Sequence, residues 1–409
     1  MTPVVALDAR MLGATGIGTY LKDLLAGLAS TDHEFRFNVL TTETQRLKDT
    51  SQFEISHSRF KAGNSELKIG KAADPEPGSA QIRGIKPPPD PERFKFIPAT
   101  APIYSLKEQW EVGRLAREGD LLHCPHYNIP YFYKGRMVVT IHDLTHLAHR
   151  DFVPNQLAHY YARVMLTAAA HHARQVITVS QFSKKCICQA LNVPEEKVHV
   201  ISYGIPARMQ PNGSVDTSLI EKFKIAKAYV LFVGLLKPHK NVQALLRAFA
   251  LLPEAFRTSH QLIITGRLDT CYPTLFQLAR ELSLGDRVVF TGHVTDGELR
   301  ALYAGAKAFV LPSLNEGYGL PVLEAMAFGV PVIVSNISSL PEVAGDAGIL
   351  VDPRDDRSIS KALERLLADE QLRKSLGERG QQRARSFSAR EFALKHLEVY
   401  RAALCDVGF

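Results

Sequence analysis

Short apolar runs alternate with amphipathic helical patterns along this chain, and the alternation occurs in two similar halves. In the first half, apolar residues at 4–7 are followed by a glycine-rich loop at 13–18 and by leucines at helical spacing over 20–28. In the second half, apolar residues at 229–233 lead through a loop into a helical pattern at 242–251. Because strands that alternate with helices form parallel sheets covered on both faces, the sequence predicts an α/β fold with two Rossmann-like domains.

The pattern continues through each half, and a loop-like stretch at 203–214 separates the halves with two glycines and two prolines. We therefore expect domains at 1–205 and 206–388, with ligands bound beyond the carboxyl ends of the strands. The segment 58–93, rich in proline and glycine, is predicted to be a mobile surface insertion. Further strands are predicted at 37–40, 137–141, 176–179, 198–201, 261–265, 287–291, 308–311 and 332–334. Further helices are predicted at 274–282, 296–304, 320–328, 358–367 and 391–404.

The charge balance favours anionic partners. Among 409 residues, 49 are Lys or Arg and 42 are Asp or Glu, which gives a net charge of +7. Nucleotides, nucleic acid and an acidic membrane surface all fit this surplus. Five scattered cysteines without a CxxC pair, no signal-peptide pattern and no apolar stretch of membrane-spanning length predict a cytoplasmic protein. Any membrane contact is expected at the surface.

The most informative motif follows the predicted strand at 308–311. It reads Asn-Glu-Gly-Tyr-Gly-Leu-Pro-Val-Leu-Glu over 315–324, with Pro321 suited to the first turn of a helix. The free N–H groups of such a turn form an anion site. Glu316 and Glu324 flank this turn, and a carboxylate can accept hydrogen bonds from two sugar hydroxyls. The alternative is that both glutamates only favour the helix N-terminus electrostatically.

A second motif follows the predicted strand at 229–233 and runs from Gly234 to Asn241. Lys240 would lie at the mouth of the same sheet, where it can meet a diphosphate as a point charge. A solvated loop lysine is the plainer interpretation, but the two motifs reinforce each other because both follow strands of one sheet.

Glycines and histidines of the first half give weaker signals. The spacing at Gly13, Gly16 and Gly18 is not that of a dinucleotide-binding loop, so we do not expect NAD. His123 and His126 form HxxH, and His142, His146 and His149 follow. A zinc site is disfavoured because these residues do not share a predicted helix face. We expect no metal, and roles for the histidines in lining the site or in structure.

Taken together, these residues resemble a retaining glycosyltransferase of family four, which has the GT-B fold. Glu316 and Glu324 match the E-x7-E pattern of that family, and the surrounding Thr-Gly-His at 291–293 and Gly-Val-Pro-Val at 329–332 fit as well. In the first half, Asp-Ala-Arg at 8–10 and Thr-Ile-His-Asp at 140–143 agree. The resemblance covers nearly the whole chain except the insertion. It implies two domains around a central cleft and a C-terminal helix at 389–409 that crosses back onto the first domain.

The resemblance also implies roles for individual residues. Glu316 would bind the hydroxyls of the donor sugar, Lys240 the diphosphate, and Glu324 the ribose of the nucleotide, while His142 would face the sugar across the cleft. The candidate catalytic residues are therefore Glu316, His142 and Lys240. The candidate donor-binding residues are Gly16, Gly18, Gly234, Lys240, Gly317, Tyr318, Gly319, Leu320 and Glu324.

One departure from the family concerns the second cation near the diphosphate. Many members have Gly-Arg early in the second motif, where this chain has Leu235, and some have Arg directly before the lysine, where it has His239. Arg267 follows Gly266 and lies near the predicted cleft. Whether Arg267 replaces the missing cation is left open by the sequence.

The resemblance implies transfer of a hexose from a nucleoside diphosphate sugar to a hydroxyl acceptor, with retention and without a metal. Resemblance to bacterial polysaccharide mannosyltransferases favours GDP-mannose over a UDP-sugar, with a glycan or a lipid-linked saccharide as acceptor. A nucleotide-sugar epimerase of the same fold and a non-enzymatic anion-binding protein remain alternatives. A run of basic residues at 373–390 suggests contact with a membrane or simply a solvated helix face, and nucleic acid is not expected.

Overall fold

The computed structural model describes residues 2–14, 16–42, 93–148, 156–211, 215–267 and 274–405. Apart from Arg93, the predicted insertion at 58–93 lies outside these ranges, and so does His149. Within the described ranges, no helix combines the length and apolar character that a bilayer-spanning segment requires.

The first sheet contains seven parallel strands in the order β3-β2-β1-β4-β5-β6-β7. Its core strands are apolar on both faces, as parallel strands between two helical layers must be. The strands are β1 (Val4–Asp8), β2 (Arg36–Thr41), β3 (Phe94–Pro98), β4 (Leu121–Cys124), β5 (Met137–Thr140), β6 (Gln175–Thr178) and β7 (Val198–Val200). The helices of this half are α1 (Ile17–Ala29), α2 (Leu106–Ala116), α3 (Thr145–Ala148), α4 (Gln156–His172) and α5 (Gln181–Leu191).

The second sheet contains six parallel strands in the order β10-β9-β8-β11-β12-β13. The strands are β8 (Ala228–Val233), β9 (His260–Thr265), β10 (Val288–Gly292), β11 (Ala308–Leu311), β12 (Val332–Ser335) and β13 (Gly348–Val351). The helices are α6 (Val242–Ala250), α7 (Glu254–Ser259), α8 (Thr274–Glu281), α9 (Asp296–Gly305), α10 (Leu320–Ala327), α11 (Leu340–Ala344), α12 (Asp356–Ala368), α13 (Glu370–Ala384) and α14 (Ala389–Leu404). Short 3₁₀ turns lie at Glu195–Lys197, Ala207–Met209, Thr217–Phe223, Pro238–Lys240, Gly285–Arg287 and Gly345–Ala347.

The predicted fold class, two Rossmann-like α/β domains, is confirmed by these two sheets. Strands β3, β4 and β13 were not among the predicted strands. β4 is short and carries His123 in its buried interior, and β3 alternates buried and exposed side chains directly after the insertion. The break between the sheets lies between β7 and β8, while the exact domain limits at 205 and 388 stay predictions.

Each sheet reverses its strand order at one point. In the first sheet the reversal lies between β1 and β4, and in the second between β8 and β11. The connections on the two sides of such a point leave in opposite directions, so a crevice opens beyond the carboxyl ends of these strands. The loops after β8 and β11 carry the two motifs that the sequence singles out, so the topology brings both motifs to one crevice.

The C-terminal helix α14 crosses back onto the first domain, as predicted. It packs along α1, and Phe392, Leu397 and Tyr400 are buried there beside residues of β1 and β2. Helices α2, α4 and α5 cover the opposite face of the sheet. One of the two helical layers of the first sheet is therefore complete only because the C-terminal helix returns to it.

A directed chain of hydrogen bonds fixes α14 to the sheet. The Tyr400 hydroxyl donates to His123 Nδ1 (2.8 Å), and His123 Nε2 donates to Thr140 Oγ1 (2.9 Å). The Tyr20 hydroxyl contacts Thr140 (2.9 Å) and donates to His396 Nε2 (2.6 Å). Burial lowers the pKa of His123 and brings that of His396 to about 4, so both rings are neutral and each nitrogen has one defined role.

We expect opposite effects from an alanine at two helical glycines. A Cβ at Gly27 in α1 would lie 2.8 Å from the Ala389 carbonyl oxygen and 2.9 Å from the Ala393 Cβ, whereas at Gly113 in α2 the nearest atom would be 3.7 Å away. Gly27→Ala should force α14 away and destabilise the protein by about 1–3 kcal/mol. Gly113→Ala should be neutral or stabilising by about 0.5–1 kcal/mol, because alanine favours helix. Denaturant unfolding of both variants measures this, and equal effects would contradict the packing described for α14.

Candidate active site

The loops after β8 and β11 meet through an ion pair at the crevice of the second sheet. Lys240 Nζ lies 2.6 Å from Glu316 Oε1, and the Ser313 hydroxyl donates to the same oxygen at 2.7 Å. The side chains of Lys240 and Glu316 are 16% and 10% exposed, so solvent screens the pair less than it would on an open surface. The two residues that the separate motifs nominate are thus direct partners.

The backbone around this pair is held by a buried asparagine. Asn241 has a left-handed backbone (φ 56°), and its side-chain amide donates to the carbonyls of Pro312 (3.1 Å) and Pro353 (2.7 Å). The Leu314 N–H donates to the His239 carbonyl at 2.7 Å. These bonds tie the lysine loop to the glutamate loop, so the ion pair is set by the fold rather than by flexible side chains alone.

The turn before α10 presents backbone N–H groups beside the pair. Gly319 (φ 105°) caps α10 in the left-handed region, and a Cβ there would lie 2.6 Å from Leu340 Cδ2. The Ser339 hydroxyl contacts the carbonyls of Glu316 (2.9 Å) and Tyr318 (2.8 Å), which fixes the turn. Because the first N–H groups of a helix have no partner within it, those at Tyr318, Gly319 and Leu320 can bind an anion.

Glu324 lies one turn into α10 and has different surroundings from Glu316. Its Oε2 accepts a hydrogen bond from the Tyr303 hydroxyl at 3.0 Å, and the residue is buried. Burial raises the pKa of Glu324 to about 7, a shift that the positive charge of Arg208 opposes. Near neutral pH this carboxyl is therefore a donor as well as an acceptor, which suits a vicinal diol.

His142 extends from the end of β5 in the first domain toward this site. Its Nε2 donates to the Pro125 carbonyl (3.0 Å), and its Nδ1 accepts from the Tyr203 hydroxyl (3.1 Å). Burial lowers the pKa of His142, so the ring is neutral. Both ring nitrogens are engaged within the first domain in this conformation.

The two domains touch at Gly317. A Cβ on this glycine would lie 2.9 Å from the Asp143 Cβ and from the His142 carbonyl oxygen. The Ser180 and Ser183 hydroxyls of the first domain donate to the Gly317 carbonyl at 2.7 and 3.2 Å. Gly317 is therefore the point at which the backbone of the second domain lies against the first.

Two further contacts cross the cleft. The Asn315 amide donates to Thr145 Oγ1 at 2.8 Å. The Glu342 carboxylate accepts the N–H groups of Gln181 (2.9 and 3.0 Å) and Phe182 (3.3 Å) at the N-terminus of α5. A carboxylate at a helix N-terminus is favoured by the helix dipole. Ser180 and Glu342 are not among the predicted site residues, because only the folded chain shows that their partners lie in the other domain.

Of the remaining predicted donor-binding glycines, two lie at the start of α1 and one follows β8. Gly16 (φ 78°) caps α1, but the Gly18 N–H donates to the Ala14 carbonyl at 3.0 Å, so it is engaged within its own loop. Gly234 follows β8, and its carbonyl oxygen would lie 1.8 Å from a Cβ on Gly266. The Leu236 N–H donates to the Arg267 carbonyl at 3.2 Å, which places exposed Arg267 at the same edge of the sheet as Lys240.

The histidines of the first half are dispersed in the structure. His123 is fully buried against Tyr400, whereas His126 lies near Tyr104, with 6.1 Å between ring centroids. Within the described ranges, no three His, Cys, Asp or Glu side chains are grouped so that they could hold a metal ion.

Two sequence-family models match the chain. The model described as Glycosyltransferase Family 4 covers residues 14–208, and that described as Glycosyl transferases group 1 covers residues 217–383. O-antigen chain mannosyltransferase B of Escherichia coli is 32% identical over 283 residues, which are 69% of this chain and 74% of that protein. The chain belongs to the glycosyltransferase family. Because this family consists of enzymes, the alternative of a non-enzymatic anion-binding protein is wrong.

Other relatives of this glycosyltransferase are matched over smaller shares of their length. O-antigen chain mannosyltransferase RfbU of Salmonella typhimurium is 31% identical over 246 residues, 60% of this chain and 64% of that protein. Serotype-specific mannosyltransferase WbdA of Escherichia coli is 31% identical over 265 residues, 62% of this chain. The match spans only 31% of the length of WbdA.

Solved structures share the fold of the glycosyltransferase. Sucrose-phosphate synthase from Thermosynechococcus elongatus superposes with a TM-score of 0.71, 22% identity and 98% coverage of both chains. Anabaena Alr3699/HepE in complex with UDP and glucose superposes with a TM-score of 0.72, 19% identity, and coverage of 98% of this chain and 100% of that chain. These similarities support the GT-B fold.

The raised pKa of Glu324 predicts a pH-dependent stability. Between its usual value of 4.5 and about 7, the folded state binds more protons at this carboxyl than the unfolded state does. Wild type should therefore lose stability relative to Glu324→Gln as the pH rises through this window. Urea unfolding of both proteins at pH 5 and pH 8 measures the difference, and parallel pH profiles would contradict the assigned pKa.

Proposed function

We propose that this glycosyltransferase moves a hexose, in first place mannose, from a nucleoside diphosphate sugar to a saccharide acceptor with retention of anomeric configuration. The observation that carries the proposal is the Lys240–Glu316 pair beside the N-terminus of α10 at the strand-order reversal. It combines a cation and backbone donors for a diphosphate with a carboxylate for sugar hydroxyls. The E-x7-E pair would bind the two ends of the donor, Glu316 the sugar and Glu324 the ribose.

The donor is inferred to be GDP-mannose. The named relatives include several mannosyltransferases, which supports mannose as the sugar. The Anabaena structure contains UDP, so the base is the part of the donor that most needs a direct test. Exposed Arg267, at the same sheet edge as Lys240, is the candidate for the second cation that Leu235 does not supply.

The reaction places negative charge on the departing diphosphate as the glycosidic bond breaks. Lys240 and the N–H groups at the start of α10 would stabilise this charge. Preorganised donors of this kind contribute much of the lowering of the activation free energy in enzymes. Lys240 is paired with Glu316 before the donor binds, so the diphosphate would take over part of the lysine's interaction. Glu316, still held by Ser313, would then accept hydrogen bonds from the sugar.

Retention would follow if the acceptor hydroxyl approaches the anomeric carbon from the side on which the diphosphate leaves and passes its proton to an oxygen of the departing diphosphate. We assign no protein nucleophile and no metal, because the lysine and the helix amides supply the positive potential at the diphosphate. Neutral His142 would lie across the cleft from the sugar. The bonds from Glu342 to α5 and from Ser180 to Gly317 would hold the domains together during transfer and keep water out.

A lipid-linked saccharide acceptor would place the enzyme at the cytoplasmic side of a membrane. The basic run at 373–390 gives this contact limited support. Arg373 donates to the carbonyls of Leu366 and Leu367, and Arg383 to those of Glu342 and Val343, so two of its arginines stabilise helix ends. A surface of the first domain supports membrane contact better.

Thermal unfolding with GDP, UDP, ADP and dTDP tests the donor site. A ligand that binds only the folded state raises the midpoint. We expect the largest rise with GDP, and a reduced rise in Lys240→Met because the point charge on the diphosphate is lost. Lys374→Met, on the exposed side of α13, serves as the control and should respond like wild type. A full response of Lys240→Met would refute the role of Lys240, and no rise with any nucleotide would refute the donor site.

Kinetics of Glu316→Gln test the role of that carboxylate. We expect kcat to fall by about 10²-fold, since a donor sugar held out of its reactive position loses about that much, while nucleotide binding is retained. Glu378→Gln on the surface of α13 is the matched control and should keep wild-type activity. The anomeric configuration of the product, read by NMR, tests retention, and an acceptor-independent product would indicate the epimerase. Unchanged kcat in Glu316→Gln would refute its assigned role.

A further inference from the structure

The first domain has an unusually apolar outer surface, formed by α2, the loop at 130–135 and α4, which we call the outer face. Of the thirteen large apolar side chains that are exposed in the described ranges, nine lie on or beside it. Its most exposed members are Leu106 (86%), Leu157 (81%) and Trp110 (70%). An apolar patch of this extent on a soluble domain marks an interaction site.

The aromatic side chains of the outer face are arranged before any partner binds. Trp110 on α2 stacks on Phe132 of the loop, with 5.5 Å between ring centroids and 22° between planes. Tyr131 packs edge-on against Phe132 at 5.6 Å, and its N–H donates to Gln109 at 2.7 Å. The loop therefore presents its aromatic rings outward in a fixed arrangement, so little conformational entropy is lost on binding.

The charge around these rings is positive. The exposed cationic residues of the outer face are Lys107, Arg114, Arg117, Lys134 and Arg163. Of the acidic residues of α2, Glu108 is buried against Arg10, and Glu111 accepts a hydrogen bond from Thr100 at 3.0 Å and interacts with Lys107. Just beyond α2, Glu118 lies 3.5 Å from Lys95. A negatively charged surface would thus meet both apolar tips and an excess of cations.

A basic pocket adjoins the loop at the amino-terminal edge of the first sheet. It has a volume of about 460 Å³ and is lined by Arg117, Lys134, Arg136 and Arg174, against one carboxylate, Asp120. Asp120 accepts the Val4 N–H at 2.8 Å, and Arg174 donates to the carbonyls of Ala403 (3.3 Å) and Cys405 (3.4 Å), so the positive potential of the pocket rests on its four cations against one carboxylate. The pocket lies at the edge of the sheet opposite to the strand ends that carry the donor site. It has the size and charge for a phosphate-containing headgroup, separate from the nucleotide.

We propose that the outer face docks on a membrane that contains anionic phospholipid, with the basic pocket holding a lipid phosphate and Trp110 and Phe132 entering the interface. Protein-binding surfaces are depleted in lysine at their centre, whereas aromatic tips surrounded by Lys and Arg are typical of contact with anionic bilayers. The inference rests on the membrane contact of the proposed function, but on neither the donor base nor the sugar transferred.

The outer face also reaches the cleft. Helix α2 begins at the carboxyl edge of the sheet, where Tyr104 lies 6.1 Å from His126, measured between ring centroids. A bilayer on this face would lie beside the cleft entrance, from which a lipid-linked acceptor can reach the site by lateral diffusion.

Trp110 is the single tryptophan of the chain, so its fluorescence reports directly on this surface. We expect a blue shift of its emission with phosphatidylcholine vesicles that contain 30% phosphatidylglycerol, reversal of the shift by salt, and none with pure phosphatidylcholine. Inorganic phosphate alone should leave the emission unchanged. No shift with anionic vesicles overturns the proposal, and a shift with phosphate alone assigns the pocket to a small anion instead.

Vesicle sedimentation of variants locates the contact. Arg117→Glu with Lys134→Glu should lower partitioning more than tenfold, since each cation near an anionic surface contributes roughly a fivefold factor. Phe132→Ser alone should lower it about tenfold, because it removes an aromatic side chain that would be buried in the interface. Lys374→Glu with Arg379→Glu on α13 is the matched control and should partition like wild type. Loss in the control but not in the outer-face variants overturns the proposal.

Folding and the alternative partner are checked separately. Variants that keep the nucleotide-induced thermal shift and transfer to a water-soluble acceptor are folded, so a loss of partitioning then concerns the surface alone. Sedimentation equilibrium without vesicles distinguishes a second copy of the chain. A dimer that Phe132→Ser dissociates would overturn membrane docking in favour of self-association.

Discussion

The reversal of strand order in each parallel sheet is the constraint on which the rest of the molecule depends. It opens a crevice beyond β8 and β11 and directs two loops, far apart in sequence, to the same edge. Lys240 and Glu316 are 76 positions apart, yet they meet at 2.6 Å because both loops leave neighbouring strands. The corresponding reversal in the first sheet lies between β1 and β4, and His142 follows the next strand, β5. The carboxyl ends of the strands of both sheets therefore point toward the cleft between the domains.

The active-site pair also illustrates how the cleft avoids an unpaired buried charge. A cation that is largely withdrawn from water needs a partner, and Glu316 supplies one. Glu324, one turn into α10, accepts a hydrogen bond from the Tyr303 hydroxyl, and burial raises the pKa of its carboxyl to about 7. The two glutamates of one short motif therefore differ in their surroundings, because one lies beside a lysine and the other is buried beside a tyrosine hydroxyl.

The sequence predicted those parts of the molecule that depend on local pattern. The strand–loop–helix units around Gly234 and Gly319 are visible because apolar runs, glycines and Pro321 follow one another at fixed spacing. The return of α14 followed from family resemblance, since nothing local to residues 389–404 indicates where they pack. Contacts between the domains could not be predicted from the sequence. The bond from Ser180 to Gly317 and the capping of α5 by Glu342 depend on the relative position of two sheets. The outer face was missed as well, because exposed Trp110 and Phe132 look like core residues until burial is known.

The packing of α14 has a consequence for how the protein is made. The buried rings of Tyr20 and His396 are 376 positions apart, and the helical layer that α1 begins is incomplete until α14 packs beside it. Domains usually fold in the order in which the ribosome releases them. Here the apolar side chains of α1 that pack on α14 stay exposed to solvent until the second domain and α14 have been translated. The core of the first domain is therefore completed only after the last helix has been translated.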